Sequence, residues 1–229
     1  VDTYQISLAI SLAFLRRSTT LRTISLRTVG GTQVHPTPPG RRSNVESGRA
    51  REYLTPAEID MLVKTARKRG RYGQRDALAI LMAYRHGLRV SELVGLRWSQ
   101  VNFKTARLTV HRVKNSESGT HPILGDELRE LRKLQREQHD DGGPYTNIFI
   151  SERETPVSVD WFKRMLKRVG AECGMPLVHA HMLRHSAGFA LADKGRDVRE
   201  IQDYLGHKYI QNTVRYTKLR PSRFDRIWD

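Results

Sequence analysis

From Thr55 onward, apolar positions recur at spacings that predict a run of helices, whereas the first fifty residues show a single apolar block and no periodicity. Thr55, Pro56 and Glu58 form a capping-box start, with Gly70 as the stop after Lys68 and Arg69. Arg75 to His86 is a largely apolar helix ended by Gly87, predicted to lie in the core. Ser91 is positioned to cap a following helix from Glu92 to Arg97. Arg107 to Lys114 alternates, Asn115 to Gly119 is turn-rich and Thr120 to Leu124 returns, which predicts a hairpin with Lys114 at its tip. Asp126 to Gln138, with Leu128, Leu131 and Leu134 among charges of both signs, reads as a surface helix. A loop at 140–144 and a short strand from Asn147 to Ile150 follow. Ser158 caps a helix with Trp161, Phe162, Met165, Leu166 and Val169 on one face and Lys163, Arg164, Lys167 and Arg168 on the other. Beyond Pro176, a helix around His181 runs to about Gly195. Asp197 and Glu200 start another, lined by Val198, Ile201 and Leu205, and a last helix begins near Asn212. Phe224, Ile227 and Trp228 form an apolar tail expected to dock. The pattern predicts a mainly α protein with a small antiparallel β-sheet, an α+β fold without internal repeats.

The opening segment differs in kind. Ile6 to Leu15 is an apolar run of ten, too short to span a bilayer. No Lys or Arg precedes it and Arg16 and Arg17 follow, the wrong polarity for a secretory signal. No acidic residue lies between Asp2 and Glu46, and the Arg-, Ser- and Thr-rich composition there also resembles an organelle transit peptide. Residues 1–50 are therefore expected to be a poorly ordered basic extension or linker, and 51–229 one domain.

Charge narrows the partner. Forty Lys and Arg against 24 Asp and Glu give +16. Such a surplus calls for a polyanion, nucleic acid first and an acidic membrane surface second. Cys173 is the one cysteine, which precludes an intrachain disulfide and a cysteine zinc site and fits a cytoplasmic protein. His179, His181 and His185 are the densest histidine group, but no Glu stands between them as in a metalloprotease and their surroundings are basic. No metal or cofactor is expected.

The chemistry is concentrated between His181 and Tyr216: His181-Met182-Leu183-Arg184-His185, then Leu205-Gly206-His207, then Val214-Arg215-Tyr216-Thr217. Breaking a phosphodiester takes a nucleophile, cationic donors for the developing charge, a base and an acid. Tyr216 can supply the first, and Arg184 a planar fork for two phosphate oxygens. His181 and Arg184, three apart on a helix, face the same side. His185 reads as a structural hydrogen bonder and His207 as either a phosphate contact or a helix-terminal cation. Arg89 precedes a helix N-terminus, a setting that favours anions.

These residues, with Gly87-Leu88-Arg89-Val90-Ser91-Glu92-Leu93 upstream and Lys114 in the hairpin, resemble the tyrosine recombinase (phage integrase) family. The likeness extends from about Tyr53 to Asp229. It is strongest to the short fimbrial phase-switch recombinases, through His121-Pro122, His181 to Ala190, Ile201 to His207 and Ile227 to Asp229. The resemblance implies a tyrosine recombinase catalytic domain without the helical core-binding domain of larger members. It implies Tyr216 as nucleophile, His181 as its base, Arg89, Arg184 and His207 around the phosphate, and Lys114 as general acid in the minor groove, with Arg112 its near competitor and a further DNA contact. Glu92 and His185 are accessory, Glu92 orienting the arginine. Lys163, Arg164, Lys167 and Arg168 are candidate DNA contacts. The implied partners are double-stranded DNA with inverted-repeat sites, a homotetramer at synapsis and DNA-bending accessory proteins, in the nucleoid rather than at a membrane. A type IB topoisomerase-like relaxation and a non-catalytic DNA-binding regulator remain the alternatives.

Overall fold

A computed structural model describes residues 52–112 and 118–218. Residues 1–50, Lys114 and the tail from Phe224 to Trp228, on which expectations were placed above, lie outside the described residues.

The chain forms α1 (Pro56–Arg67), α2 (Gly73–Arg85) and α3 (Val90–Val94), then a single 3₁₀ turn (Trp98–Gln100). The strands β1 (Val101–Asn102), β2 (Arg107–Val110) and β3 (Gly119–Pro122) come next. They are followed by α4 (Gly125–Asp140), α5 (Val159–Glu172), α6 (Ala180–Asp193), α7 (Val198–Leu205) and α8 (Gln211–Lys218). This is the predicted helical architecture with one small antiparallel sheet, ordered β1-β2-β3.

Local chemistry sets the boundaries. The Thr55 hydroxyl accepts from Glu58 N–H while Glu58 accepts from Thr55 N–H, the reciprocal cap that starts α1. Asp197 and Glu200 repeat the device on α7, and the Ser158 hydroxyl accepts from Trp161 N–H on α5. On α5, Phe162, Met165, Leu166 and Val169 are buried while Lys163, Arg164, Lys167 and Arg168 are exposed, as the periodicity requires. Gly87 terminates α2 at φ +55°, where an L side chain is strained. It is also where a Cβ would collide with the Leu205 side chain, so α7 docks directly on backbone there.

Three local predictions needed correction. The helix after Gly87 begins at Val90 with Arg89 as N-cap, so Ser91 lies inside its first turn and the helix ends at Val94. Asn147 to Ile150 does not form a ladder: Asn147 bridges Arg97 and Ile150 bridges Pro156, each in isolation, because the partners are short loop segments. The helix at 125–140 does not leave all its charges in water, since Glu127 is fully buried beside Leu131 and Leu134. The two-residue β1 carried no alternation to betray it; it pairs Val101 with Leu108 and Asn102 with Arg107.

The main core joins α1, α2, α5 and the buried side of the sheet, with Ile59, Leu62, Ile80, Met82, Leu108, Phe162 and Leu166 closed to solvent. A smaller core beside it collects Ala187, Phe189, Ala192, Ile201, Leu205 and Tyr216 from α6, α7 and α8. α6 contributes to both, and so places its polar residues between them. Among the described residues no helix is long and apolar enough to cross a membrane.

Candidate functional site

The site forms where the α2–α3 junction, α6, α7 and α8 meet. Arg184, on α6, is 2% exposed. Its guanidinium donates to Gly87 O at 2.5 Å and to Leu205 O at 2.6 Å, and stands 4.0 Å from Glu92. Those carbonyls use two of its five N–H bonds. The carbonyls, rather than a side chain, fix the plane of the fork. Burial, then the charges of Arg89 and Arg112, push its pKa down to about 9, which leaves it protonated at neutral pH.

Glu92 is the acidic hub. One oxygen accepts from Arg89 Nη1 at 2.7 Å; the other accepts from Arg89 N–H at 2.9 Å and from Arg112 Nη1 at 2.8 Å. Burial works against the carboxylate, but the Arg89 N–H and the Arg112 charge outweigh it and hold its pKa below the usual range. Arg89 is half-buried at the N-terminus of α3, where helix and carboxylate together fix it.

Arg112 is turned into the protein and is 8% exposed. Its guanidinium is enclosed, donating to Glu92, to the His86 and Gly87 carbonyls and to Tyr204 O at 2.6 Å. A hairpin arginine reads as solvated from sequence, but pairing across 20 residues with Glu92 turns it inward. It ties the segment after β2 to the α2–α3 junction and to α7.

Tyr216, on α8, is 1% exposed. Its hydroxyl lies 2.9 Å from His185 Nδ1, while its ring sits edge-on to Phe189 at 5.1 Å and stacks on His207 at 6.2 Å. The phenol's partner in this structure is thus His185 and not His181. His181 is on the solvent side of α6, its ring 4.3 Å from that of His185. Burial raises the Tyr216 pKa against the opposing charges of Arg184 and Arg215. His185 is pushed down to about 3 by burial and then by His181, Arg215 and Arg184, so it is neutral and hydrogen-bonds the phenol as an uncharged ring. His207, directly after the left-handed Gly206, contacts Thr213 Oγ1 at 2.8 Å. Burial, then Arg184 and Arg89, take it to about 3 as well. Desolvation and the Arg184 charge lower His181 in the same direction.

Gly188 lies under the tyrosine ring: a Cβ there would stand 2.6–2.8 Å from Cε2, Cζ and Cδ2 of Tyr216. Gly188→Ala is therefore expected to lower stability by about 1–2 kcal/mol, overpacking outweighing the helix-propensity gain, as read by urea unfolding. No sequence signal marked this glycine, nor Thr213, as part of the site.

The depressed histidines also set an acid response. A folded-state pKa below the unfolded value of about 6.5 means that stability is complete above that value and is lost as pH falls toward the folded pKa. His121 and His185, both near 3 and buried, are each expected to cost about 1–2 kcal/mol by pH 5. Urea titrations should give a flat stability above pH 7 and a steep decline from there to pH 5, before the carboxylates titrate.

Lys163, Arg164, Lys167 and Arg168 are displayed outward on α5. Among the described residues, no hydrogen bond or ion pair joins them to the Tyr216 cluster. Trp161, Arg164, Lys167, Arg168 and Ala171 line an open groove of about 550 Å³ there. Among the described residues, no three His, Cys, Asp or Glu side chains are grouped to hold a metal ion.

A comparison with family models matches residues 52–223 to the phage integrase family. The type 1 fimbriae regulatory protein FimE of Escherichia coli K12 is 40% identical over 182 residues, 78% of this chain and 91% of FimE. Tyrosine recombinase XerA of Pyrococcus furiosus is 35% identical over 169 residues, 72% of this chain and 57% of XerA. The crystal structure of XerH site-specific recombinase bound to its difH substrate shares the fold, with a TM-score of 0.64 at 18% identity over 78% of this chain and 53% of XerH. With a family match over most of its length and a relative at 40% identity spanned almost end to end, the chain belongs to the tyrosine recombinase (phage integrase) family.

Proposed function

We propose that this site-specific recombinase cuts and rejoins double-stranded DNA with Tyr216 as the nucleophile. The observation that carries the reading is the convergence on one wedge of a phenol, a neutral imidazole at 2.9 Å and a buried guanidinium held in plane by two carbonyls. Tyr216 Oη attacks phosphorus, the bond to the 5′ oxygen breaks, and a 3′-phosphotyrosine and a 5′ hydroxyl result. Arg89, Arg184 and His207 carry the charge on the non-bridging oxygens. Lys114 gives its proton to the leaving oxygen, and the phenolic proton passes to His185 or, once the phenol moves outward, to His181. The 5′ hydroxyl of a partner strand reverses the sequence, so the bond energy is conserved and no nucleotide cofactor is consumed.

The arrangement described above is a resting one. A phenol raised by burial and bonded to an imidazole near 3 keeps its proton, and at 1% exposure it cannot meet a duplex. A bound phosphate raises nearby histidines, and movement of α8 toward solvent relieves the burial that raises the phenol. DNA thus activates the nucleophile it is to meet.

The target is a pair of inverted repeats, held by a tetramer at synapsis, and the outcome is inversion of the segment between them. That assignment follows the resemblance to the fimbrial phase-switch recombinases, with which the 40% identity to a fimbriae regulatory protein is in keeping. The outward α5 cations are suited to the duplex backbone.

The test is incubation without magnesium with nicked suicide duplexes from the chromosomal neighbourhood of the gene. A denaturant-resistant adduct is expected, and its nucleotide-bearing tryptic peptide is Tyr216-Thr217-Lys218. An adduct on Tyr204 or Tyr209 would move the nucleophile. Salt-sensitive binding with no adduct on any duplex, supercoiled DNA included, would leave a DNA-binding regulator.

A further inference from the structure

Beneath the guanidinium cluster lies a second buried polar group that the cleavage chemistry does not use. His86, at the end of α2, is 1% exposed; His121, on β3, 2%; Glu127, in the first turn of α4, 0%. His86 Nε2 is 2.7 Å from Glu127 Oε1, and its Nδ1 is 3.3 Å from His121 Nδ1. The His121 ring stacks on Tyr204 of α7 at 3.9 Å, and the Tyr204 hydroxyl donates back to Arg85 O at 2.9 Å. Two imidazoles and a carboxylate are expensive to bury, and apolar side chains would fill the same space without that cost. What apolar packing cannot supply is direction. Hydrogen bonds of fixed geometry set how the end of α2 is rotated and where β3 stands against it.

Two of the tied elements, the end of α2 and α7, also carry supports of the active site. The His86 carbonyl accepts from Arg112, and the Gly87 carbonyl accepts from both Arg112 and Arg184. Tyr204 O holds Arg112 and Leu205 O holds Arg184. Arg89 is three residues beyond His86. The carbonyls that aim Arg184 and Arg112 are therefore on the segments that the His86, His121 and Glu127 chain locks together.

We propose that His86, His121 and Glu127 are positioning residues for strand cleavage, setting the backbone carbonyls that aim Arg184 and hold Arg112 against Glu92. The inference rests on the roles of Arg184 and Tyr216 given above. The three side chains are shut away from solvent, so they act on the rate of a bound complex and not on affinity.

The experiment compares His121→Leu, which keeps bulk and removes the hydrogen bond, with His121→Asn, whose amide stands close to the place of Nδ1. Glu127→Gln, which keeps the shape of the side chain, serves as the second variant should His121→Leu not fold. Single-turnover adduct formation on nicked duplex at saturating protein should fall roughly 10- to 100-fold in His121→Leu, the scale of small misplacements in an active site. The duplex Kd should stay within about twofold, a rate-limited loss of positioning rather than of binding. His121→Asn should recover most of the rate. Amide hydrogen exchange should quicken in residues 86–92, 107–112 and 119–122 of the leucine variant and not in α1.

A leucine variant that cleaves at the wild-type rate would overturn the proposal, as would a loss matched by its unfolded fraction and not recovered by asparagine. If the wild-type protein forms no adduct, it is the proposed cleavage function that fails. Exchange then decides separately: unchanged protection in those three segments overturns the coupling, and faster exchange confined to them sustains it.

Discussion

Tyr216→Phe is expected to bind duplex DNA as the wild type does and to form no covalent adduct, a loss of at least about 10⁴-fold in cleavage. The change deletes one oxygen. The ring keeps its seat over Gly188, its edge contact with Phe189 and its stack on His207. What is lost inside the fold is the 2.9 Å contact with His185. Its net worth is about 1 kcal/mol, with an added desolvation cost for the imidazole left unpartnered. Stability by urea unfolding should accordingly fall by no more than about 1–2 kcal/mol. Arg89, Arg184 and the α5 cations are untouched, so the Kd and its salt dependence should match the wild type. Adduct formation and binding, measured on the same nicked duplex, separate the nucleophile from the rest of the phosphate site. Persistence of the adduct in the variant would remove Tyr216 from that role.

The placement of Tyr216 shows what a sequence can and cannot carry. Arg184 and His181 are three residues apart on one helix, so their common face follows from 3.6 residues per turn, and Arg89 announces itself by standing between Gly87 and an acidic helix start. These are local facts. Which histidine meets the phenol is not local, because His181 and His185 share a face and only the packing of α8 against α6 selects between them. The selection falls on His185 through Gly188 and Phe189, two residues that a helical pattern reads as ordinary core.

Charge was misleading for the same reason. Arg112 and Glu127 have the sequence surroundings of solvated residues, one in a basic hairpin strand and one in the first turn of a charged helix. Their partners, Glu92 and His86, lie 20 and 41 residues away. Periodicity reports which face of an element is apolar, but not whether a charge on its border finds a counter-charge from another element. The positions that sequence reasoning read as surface are thus those where two buried networks form, one that holds the guanidiniums and one directly behind it.

That arrangement makes Glu92 the acidic residue whose loss should cost the fold most. Glu92→Ala leaves the enclosed Arg112 without its carboxylate and with Arg89 and Arg184 close by, three guanidiniums around an empty place. Removing one partner of a buried ion pair costs about 3–5 kcal/mol, because the survivor stays charged and desolvated. The expected result is an unfolding free energy, read by urea titration, lowered by that amount and cleavage lost with it, as Arg89 is released from α3. Glu92→Gln separates charge from shape. The amide oxygen can still accept from Arg89 N–H, so the loss should be smaller, about 1–3 kcal/mol. The sign of the pH dependence follows from the depressed carboxyl pKa. The ionised form contributes stability above the unfolded value of about 4.3 and loses it as pH falls through the folded value. The gap between wild type and Glu92→Gln should therefore be widest above pH 5 and close below pH 4. A gap that stays constant across that range would mean that Glu92 acts through its hydrogen bonds alone. The guanidiniums would then be held by the carbonyls of His86, Gly87, Tyr204 and Leu205 without help from its charge.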